Sequence, residues 1–255
     1  NHTFSLTSVL GFIIGAGMFG AIVMLPLYLQ VVKGDSATQA GLKLIPLMLG
    51  IVSTSIFSGK QISKTGKYKK FPIMGTAIMT VGILAMVTLD TDTPFWRLSI
   101  YAIMVGAGLG LSMQTIVIAL QNSVEFKDMG VATSSNTFFR SLGSVFGTAI
   151  FGSILTNRLA HYLTENLATL KATNPTAMTM ADSEIVRGIS ENTSLIAKLS
   201  PTVQTTVLDA FVSSFHIVFL AAAPVTALGF ICALFLRETP PVSYTHLTLP
   251  TKRIV

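Results

Sequence analysis

The alternation of apolar and polar stretches divides the chain into long apolar blocks joined by short polar connections. Each block approaches or exceeds ~18 residues, the length at which a membrane-spanning helix becomes the default interpretation. The connections contain lysine, aspartate, glycine and proline, which are typical of helix ends and turns. The pattern therefore predicts six spans, at residues 4–32, 37–57, 71–89, 95–118, 131–155 and 211–236.

Composition strengthens this interpretation. Hydrophobic residues make up 51% of the chain and charged residues only 11%, against roughly a quarter charged in soluble domains. We therefore expect an all-α, polytopic membrane protein, because helices satisfy their own backbone hydrogen bonds in lipid. The net charge of +6 does not indicate nucleic-acid binding, since the lysines lie beside membrane segments. The single cysteine, Cys232, excludes an intrachain disulfide.

Three regions fall outside the six spans. Residues 159–208 carry charges of both signs and apolar residues at helical spacing, which predicts amphipathic helix and loop on the membrane surface. The chain starts at Asn1 and enters an apolar block almost at once, so we expect an N-terminal part to precede it. Residues 242–255 resemble a translated sequencing-adapter tail and are set aside as non-native, which leaves residues 1–238 as one transmembrane bundle.

The connection at residues 59–70 decides the predicted orientation. It contains five lysines, whereas the short connections on the other side offer only Lys33 and Arg97. Because cytoplasmic loops carry an excess of lysine and arginine, we expect residues 59–70 in the cytoplasm and the 159–208 segment outside. The predicted location is the plasma or inner membrane of the cell.

Glycines four residues apart recur inside the apolar blocks. That spacing puts small residues on one helix face and allows two backbones to approach closely. Residues 15–20 also match the dinucleotide pattern G-x-G-x-x-G, but they lie within a span and not after a strand, so we reject a cofactor there. The pairs predict helix–helix contacts at Gly11/Gly15, Gly106/Gly110 and Gly143/Gly147.

Arg140 is the most informative single residue. It lies about ten residues into the fifth span, roughly 15 Å deep, where a cation is costly and indicates function by default. Asn136, Gly143 and Gly147 share its helix face. Two interpretations stay open: a structural latch onto backbone carbonyls or a carboxylate from another part of the protein, and a role in substrate binding or proton coupling.

Other polar residues inside the spans are less specific. Gln114 either bonds a neighbouring helix or lines a cavity, and His216 either holds a structural hydrogen bond or takes part in proton transfer. No Asp or Glu lies deep in any span, so we expect a proton-binding carboxylate in the preceding part of the protein. No metalloprotease, nucleophile-elbow or P-loop motif occurs, so we expect neither an enzyme nor a cofactor or metal.

The lysine-rich connection resembles a known family. Its pattern Gly59-x-x-x-Ser63-Lys64-x-Gly66-Lys67-x-Lys69 resembles the cytoplasmic loop signature of the major facilitator superfamily, with Ser63 where the signature has Asp. That loop joins the second and third helices of each six-helix half. The resemblance implies that the six spans form one half of a facilitator fold, with the N-terminal half of the same chain as its partner.

Further stretches resemble the fourteen-helix drug:proton antiporters of the EmrB/QacA type, at residues 25–30, 106–111 and 136–143. The resemblance implies efflux of drugs or other amphipathic compounds in exchange for protons, by alternating access within the lipid bilayer. An adaptor protein is a further partner to consider. Alternatives are a uniporter or importer of a sugar or organic anion on the same fold, and a non-transporting receptor or assembly module. Candidate cavity residues are Met18, Phe19, Met24, Gln114, Asn136 and Arg140.

Overall fold

The architecture is that of a helical bundle. The computed structural model describes residues 2–174, 179, 182, 185–186, 189, 193–236 and 238, without the side chains of residues 2, 19–21, 126 and 193–194. The described residues contain no strand, which confirms the all-α prediction. The α-helices are α1 His2–Val31, α2 Ala37–Leu42, α3 Ile45–Thr65, α4 Lys70–Met86, α5 Phe95–Gln121, α6 Met129–Thr173 and α7 Pro201–Leu234, with 3-10 helices at Phe126–Asp128 and Thr193–Lys198.

Five of these segments are long and apolar enough to cross a membrane, if α2 and α3 are taken together as Ala37–Thr65. The helix α4 is apolar and has 17 residues, which is the lower end of the ~17–25 residues that a membrane-spanning helix needs. Each predicted span therefore coincides with an apolar helix. The tail at residues 242–255 lies outside the described residues.

The second predicted span is divided. Ser36 caps α2 in a capping box with Gln39, and the chain tightens at Lys43 and Leu44 before α3 begins. The hydrophobic pattern, by contrast, predicts one span over residues 37–57. Pro46 stands in the first turn of α3, where a missing backbone N–H breaks no helical hydrogen bond.

The lysine-rich connection is shorter than predicted. The helix α3 continues through Thr65, and the loop proper covers residues 66–69. Gly66 ends the helix in the left-handed conformation, with φ 69°, and its N–H donates to the carbonyl of Ile62. No residue before Gly66 breaks the helix, so Lys60 and Lys64 extend from its last turns. We call this end of the bundle the lysine end and the opposite end the distal end.

The helices pack through α1 and α5. The helix α1 contacts α5, α6 and α7, whereas α5 lies between α3 and α4. A Cβ atom on Gly15 would overlap the carbonyl of Arg140, one on Gly143 the carbonyl of Phe12, and one on Gly147 would lie 2.7 Å from the Cα of Ala16. These contacts, together with those of Gly11, Gly106 and Gly110, confirm the predicted small-residue packing.

The helix α6 is longer than its predicted span at residues 131–155. It has 45 residues and continues at the distal end because apolar residues persist at four-residue spacing. Leu155, Leu159 and Leu163 are buried in the same core as Val203 and Val207 of α7. The predicted surface segment at residues 159–208, which we call the distal segment, is thus helical over its first part. The helix α7 begins at Pro201 rather than near residue 211.

Candidate functional site

A cleft lies between α1 and α6 in the half of the bundle nearer the lysine end. Its volume is about 410 Å³, and its lining comes from two neighbouring turns of α1 and from the residue next to Arg140 on α6. The lining residues are Phe4, Ser5, Ser8, Val9, Phe12 and Phe139. The close contact of Gly143 with Phe12 fixes the depth at which the two helices meet, and the cleft is on the lysine side of that contact.

The chemistry of the cleft is aromatic with one unused polar group. Phe12 also contacts Phe146, with ring centroids 6.0 Å apart. The Oγ of Ser8 is buried and has no hydrogen-bond partner among the described residues. A buried hydroxyl without a partner costs about 1–3 kcal/mol, so the cleft would favour an apolar, aromatic ligand that offers Ser8 one hydrogen bond.

Arg140 lies beside this cleft through its neighbour Phe139. Its side chain is half-buried, and the structure shows no hydrogen bond or ion pair for its guanidinium among the described residues. The helix places it about 16 Å from the start of α6, at 1.5 Å per residue. Within the described residues, neither a carbonyl nor a carboxylate latches it.

Asn136 lies in the helix interface and not on an open surface. Only 4% of it is exposed, and its Nδ2 donates to the carbonyl of Thr7 over 2.8 Å. The glycine at position 11 leaves room for this amide, since a Cβ there would lie 3.0 Å from Nδ2. Asn136 thus joins α1 to α6 in this structure, and its assignment to the cavity wall stays a prediction.

The remaining cavity candidates are dispersed. Met24 is buried in the core, with 3% exposed, and Met18 packs against that core from its edge. Both face other helices because α1 is surrounded on three sides. Gln114 is exposed on α5 without a hydrogen bond among the described residues. The side chain of Phe19 lies outside the described part of the structure.

At the distal end, three side chains bind the turn at residues 89–93 between α4 and α5. The hydroxyl of Tyr28 donates to the carbonyl of Asp90 over 2.7 Å. Lys33 donates to the carbonyls of Thr93, over 2.7 Å, and Thr91. We call Tyr28, Lys33, His216 and the turn that they bind the distal clasp. It connects α1 and α7 to the α4–α5 turn.

His216 occupies a structural position in this clasp. Its Nε2 is 2.6 Å from the carbonyl of Leu89, and because a carbonyl only accepts, this nitrogen carries the proton. A carboxylate oxygen of Asp90 lies 3.9 Å away. Burial lowers the pKa of the neighbouring Lys33, with the nearby carboxylate of Asp92 acting against that shift.

A second contact at the distal end holds the start of α7. The carboxylate of buried Asp182 accepts from the N–H and Oγ of Ser200, both over 3.1 Å, and from the N–H and Oγ of Thr179. The hydrogen bond from the N–H of Ser200, followed by those from the N–H and Oγ of Thr179, lowers the pKa of Asp182 to about 2. Ser200 is the residue that precedes α7, so Asp182 ties the distal segment to that helix.

Comparison with known proteins decides the family. A family model described as the Major Facilitator Superfamily matches residues 2–148, more than half of the chain. The chain belongs to the major facilitator superfamily. A tetracycline resistance determinant of Streptomyces rimosus is 35% identical over 248 residues, which cover 92% of this chain and 72% of that protein.

Other facilitators are similar over most of the chain. An MFS-type transporter of Mycobacterium tuberculosis is 39% identical over 237 residues, 93% of this chain and 33% of the relative. The multidrug transporter protein MdtP of Bacillus subtilis is 32% identical over 257 residues, 93% of this chain and 46% of the relative. The chain therefore spans about a third to a half of the length of these two relatives.

A solved transporter has a similar fold. The inward-facing, occupied crystal structure of a bacterial homologue of the human lysosomal transporter Spinster matches with a TM-score of 0.70 at 14% identity. The match covers 93% of this chain and 49% of that one. The architecture described above is thus that of one half of a facilitator.

The facilitator signature lies at the end of α3 and in the loop that follows. Gly59, Ser63 and Lys64 are helical, whereas Gly66, Lys67 and Lys69 belong to the loop or its caps. The hydroxyl of Ser63 donates to the carbonyl of Gly59, one turn earlier in the same helix. Ser63 therefore forms a local bond at the position where the signature has a carboxylate.

Most residues of the α1–α6 cleft cannot be recognised from the sequence. Ordinary apolar spans contain residues such as Phe4, Ser8, Val9 and Phe12, and Phe139 has no feature as distinctive as the charge of its neighbour Arg140. One signal was available: Ser5, Ser8 and Phe12 recur at three- and four-residue spacing, which places them on one face of α1. That face cannot be assigned to a cleft without knowing how α6 crosses it.

Proposed function

We propose that this chain is the C-terminal half of a drug-efflux facilitator that exchanges drugs or other amphipathic compounds for protons by alternating access. The α1–α6 cleft carries the proposal, because it combines an apolar, aromatic lining with a buried Ser8 hydroxyl that has no hydrogen-bond partner in the described part of the chain. The names of the Streptomyces rimosus and Bacillus subtilis relatives support drugs as the cargo. The greater length of the Bacillus subtilis relative, of which this chain covers 46%, supports a second half elsewhere in the protein.

The proposed orientation puts the lysine end on the cytoplasmic side of the cell membrane. The signature loop and the C-terminal end of α3 supply lysines at the lysine end, and cytoplasmic loops are enriched in lysine. The cleft then faces the side from which an exported compound enters. In facilitators the substrate site lies near the midplane at the interface of the two halves, so the cleft would be completed by the other half.

Arg140 has a separate role in the proposal. A half-buried guanidinium without a partner among the described residues is costly in a membrane. We assign it to the substrate or to a proton-binding carboxylate of the other half, which would compensate the charge of the guanidinium in the stage of transport when the carboxylate has released its proton. Gln114, which is exposed on α5, and Met18, at the edge of the core, are secondary candidates for contact with the substrate. His216 remains a candidate for proton transfer, although its bond to Leu89 supports a structural role.

Transport by inside-out vesicles containing the full-length protein tests the proposal. We expect uptake of ethidium into these vesicles that depends on a proton gradient and stops with an uncoupler. Phe139→Ala should lower the apparent affinity about tenfold, because an apolar side chain that contacts the ligand contributes roughly 1.5 kcal/mol or more. Phe138→Ala is the comparison variant: Phe138 does not line the cleft, but its ring packs against that of Phe139 with centroids 5.7 Å apart, so its effect should be smaller than that of Phe139→Ala.

Variants of Arg140 separate charge from shape. Arg140→Ala should abolish gradient-dependent transport, and Arg140→Lys should restore part of it. Normal transport by Arg140→Ala would refute the functional role of this residue. Gradient-independent equilibration of a sugar or organic anion would favour a uniporter, and correctly inserted protein that moves none of these compounds would favour a receptor or assembly module.

A further inference from the structure

A second groove lies between α6 and α7 at the distal end, away from the α1–α6 cleft. Its volume is about 510 Å³, and α6 supplies the polar part of its lining whereas α7 supplies small and apolar residues. The lining residues are Ile154, Asn157, Arg158, His161, Ile217 and Ala221. The proposed efflux function uses none of them.

The groove lies at the boundary between hydrocarbon and headgroups. The predicted span of α6 ends at residue 155, so Ile154 lies at the edge of the hydrocarbon core. Arg158 is about 5 Å beyond that end, at 1.5 Å per residue, and therefore at the level of the headgroups. The polar residues of the groove therefore lie on the headgroup side and Ile154 on the hydrocarbon side.

Charge within the groove favours an anion. Arg158 is exposed and has no ion pair or hydrogen bond among the described residues. His161, by contrast, is 3.5 Å from the carboxylate of Glu165. One amide hydrogen of Asn157 binds the Oγ of Ser153 over 3.4 Å, which leaves its second hydrogen available. A guanidinium and an amide together match the oxygens of a phosphate.

Apolar residues continue the groove toward the membrane centre. On α6, Ile150 lies one turn below Ile154 and is 53% exposed. On α7, Leu220 and Leu228 share the side of the helix that carries Ile217, and they are 51% and 55% exposed. An acyl chain would cover these side chains, whereas a soluble anion would leave them bare.

We propose that the α6–α7 groove binds an anionic phospholipid of the leaflet at the distal end. The phosphate binds Arg158 and Asn157, and one acyl chain lies along Ile154 and Ile217. The observation that selects a lipid over a free anion is that Arg158, which has no partner among the described residues, adjoins an exposed apolar surface that continues across the membrane boundary. Such a site would hold the outer part of α6 against α7 through the lipid.

Native mass spectrometry of the full-length protein in detergent tests this proposal. The probes are dioleoyl phosphatidylglycerol, dioleoyl phosphatidylcholine and glycerol 3-phosphate. We expect the protein to retain phosphatidylglycerol in preference to the other two. Arg158→Gln should weaken its binding about fivefold, because one basic residue near an anionic lipid contributes roughly 1 kcal/mol.

Two further variants make the test decisive. Arg97→Gln removes a cation from the same end of the bundle without touching the groove, and it should leave lipid retention unchanged. Ala221→Phe fills the floor of the groove without changing charge, and it should lower retention while a thermal melt confirms folding. Equal retention by wild type and Arg158→Gln would overturn the proposal, as would equal binding of glycerol 3-phosphate.

Discussion

The two ends of the bundle are built differently. At the distal end, side chains of the clasp bind four carbonyls of one turn, those of Leu89, Asp90, Thr91 and Thr93. The carboxylate of Asp182 binds Ser200, the residue that precedes α7. Toward the lysine end, the α1–α6 cleft leaves Ser8 and Arg140 without partners among the described residues. Polar groups are satisfied where the half-bundle must stay rigid and remain available where it would meet a ligand or the other half.

The largest predicted effect concerns the contact that limits the cleft. Gly143→Ala should lower the free energy of unfolding by about 1–3 kcal/mol, the usual cost of overpacking, because the new Cβ would overlap the carbonyl of Phe12. Thermal unfolding in detergent measures it. Gly152→Ala is the control on the same helix, where nothing lies within 4 Å. An unchanged melting temperature for Gly143→Ala would show that α1 and α6 can separate freely.

The distal clasp should show a smaller effect. Tyr28→Phe keeps the packing of the ring against Phe215, whose centroid is 5.7 Å away, and removes the hydroxyl that donates to the carbonyl of Asp90 and also contacts the Thr93 side chain. We expect a loss of about 1 kcal/mol in unfolding free energy. Tyr162→Phe is the control, since its hydroxyl has no hydrogen bond within the part of the chain that the structure describes. Equal stability of both variants would mean that the clasp contributes nothing to rigidity.

The smallest effect is local and depends on pH. The folded-state pKa of Asp182 is about 2, below its value of ~3.9 in an unfolded chain. Its contribution to holding the distal segment is therefore complete above about pH 4 and is lost as pH falls toward 2. The protection factors of the amides of Thr193–Lys198, which correct for the intrinsic pH dependence of hydrogen exchange, should fall over that interval. In Asp182→Asn the exchange should already be fast at pH 6; if it matches wild type there, Asp182 does not hold the segment.

Features that depend on local pattern could be predicted from the sequence. The six apolar segments, the all-α class and the glycine contacts follow from hydrophobicity and from three- and four-residue spacing along one helix. The end of α3 at Gly66 also follows a local rule. The predicted connection begins too early because lysine favours helices, and α3 continues through Lys60 and Lys64.

Features that depend on the relative rotation of helices could not be predicted. Whether Asn136 faces a cavity or α1 depends on the direction in which α6 presents it, and only the contact with Thr7 shows that direction. The cleft between Phe4 and Phe139 joins residues about 130 positions apart in the chain. The sequence offers no pairing signal over that separation, because every apolar face can be buried by several neighbours.

The length of α6 has a mechanical consequence. Its 45 residues form a rod of about 68 Å. The predicted membrane span at residues 131–155 makes up little more than half of this length. If the rod pivots near its lysine end, a tilt of about 10° moves its distal tip by roughly 12 Å. Small rotations of the half-bundle in the membrane are thereby amplified beyond it, so a label near Thr173 would report movements that a label beside Arg140 hardly registers.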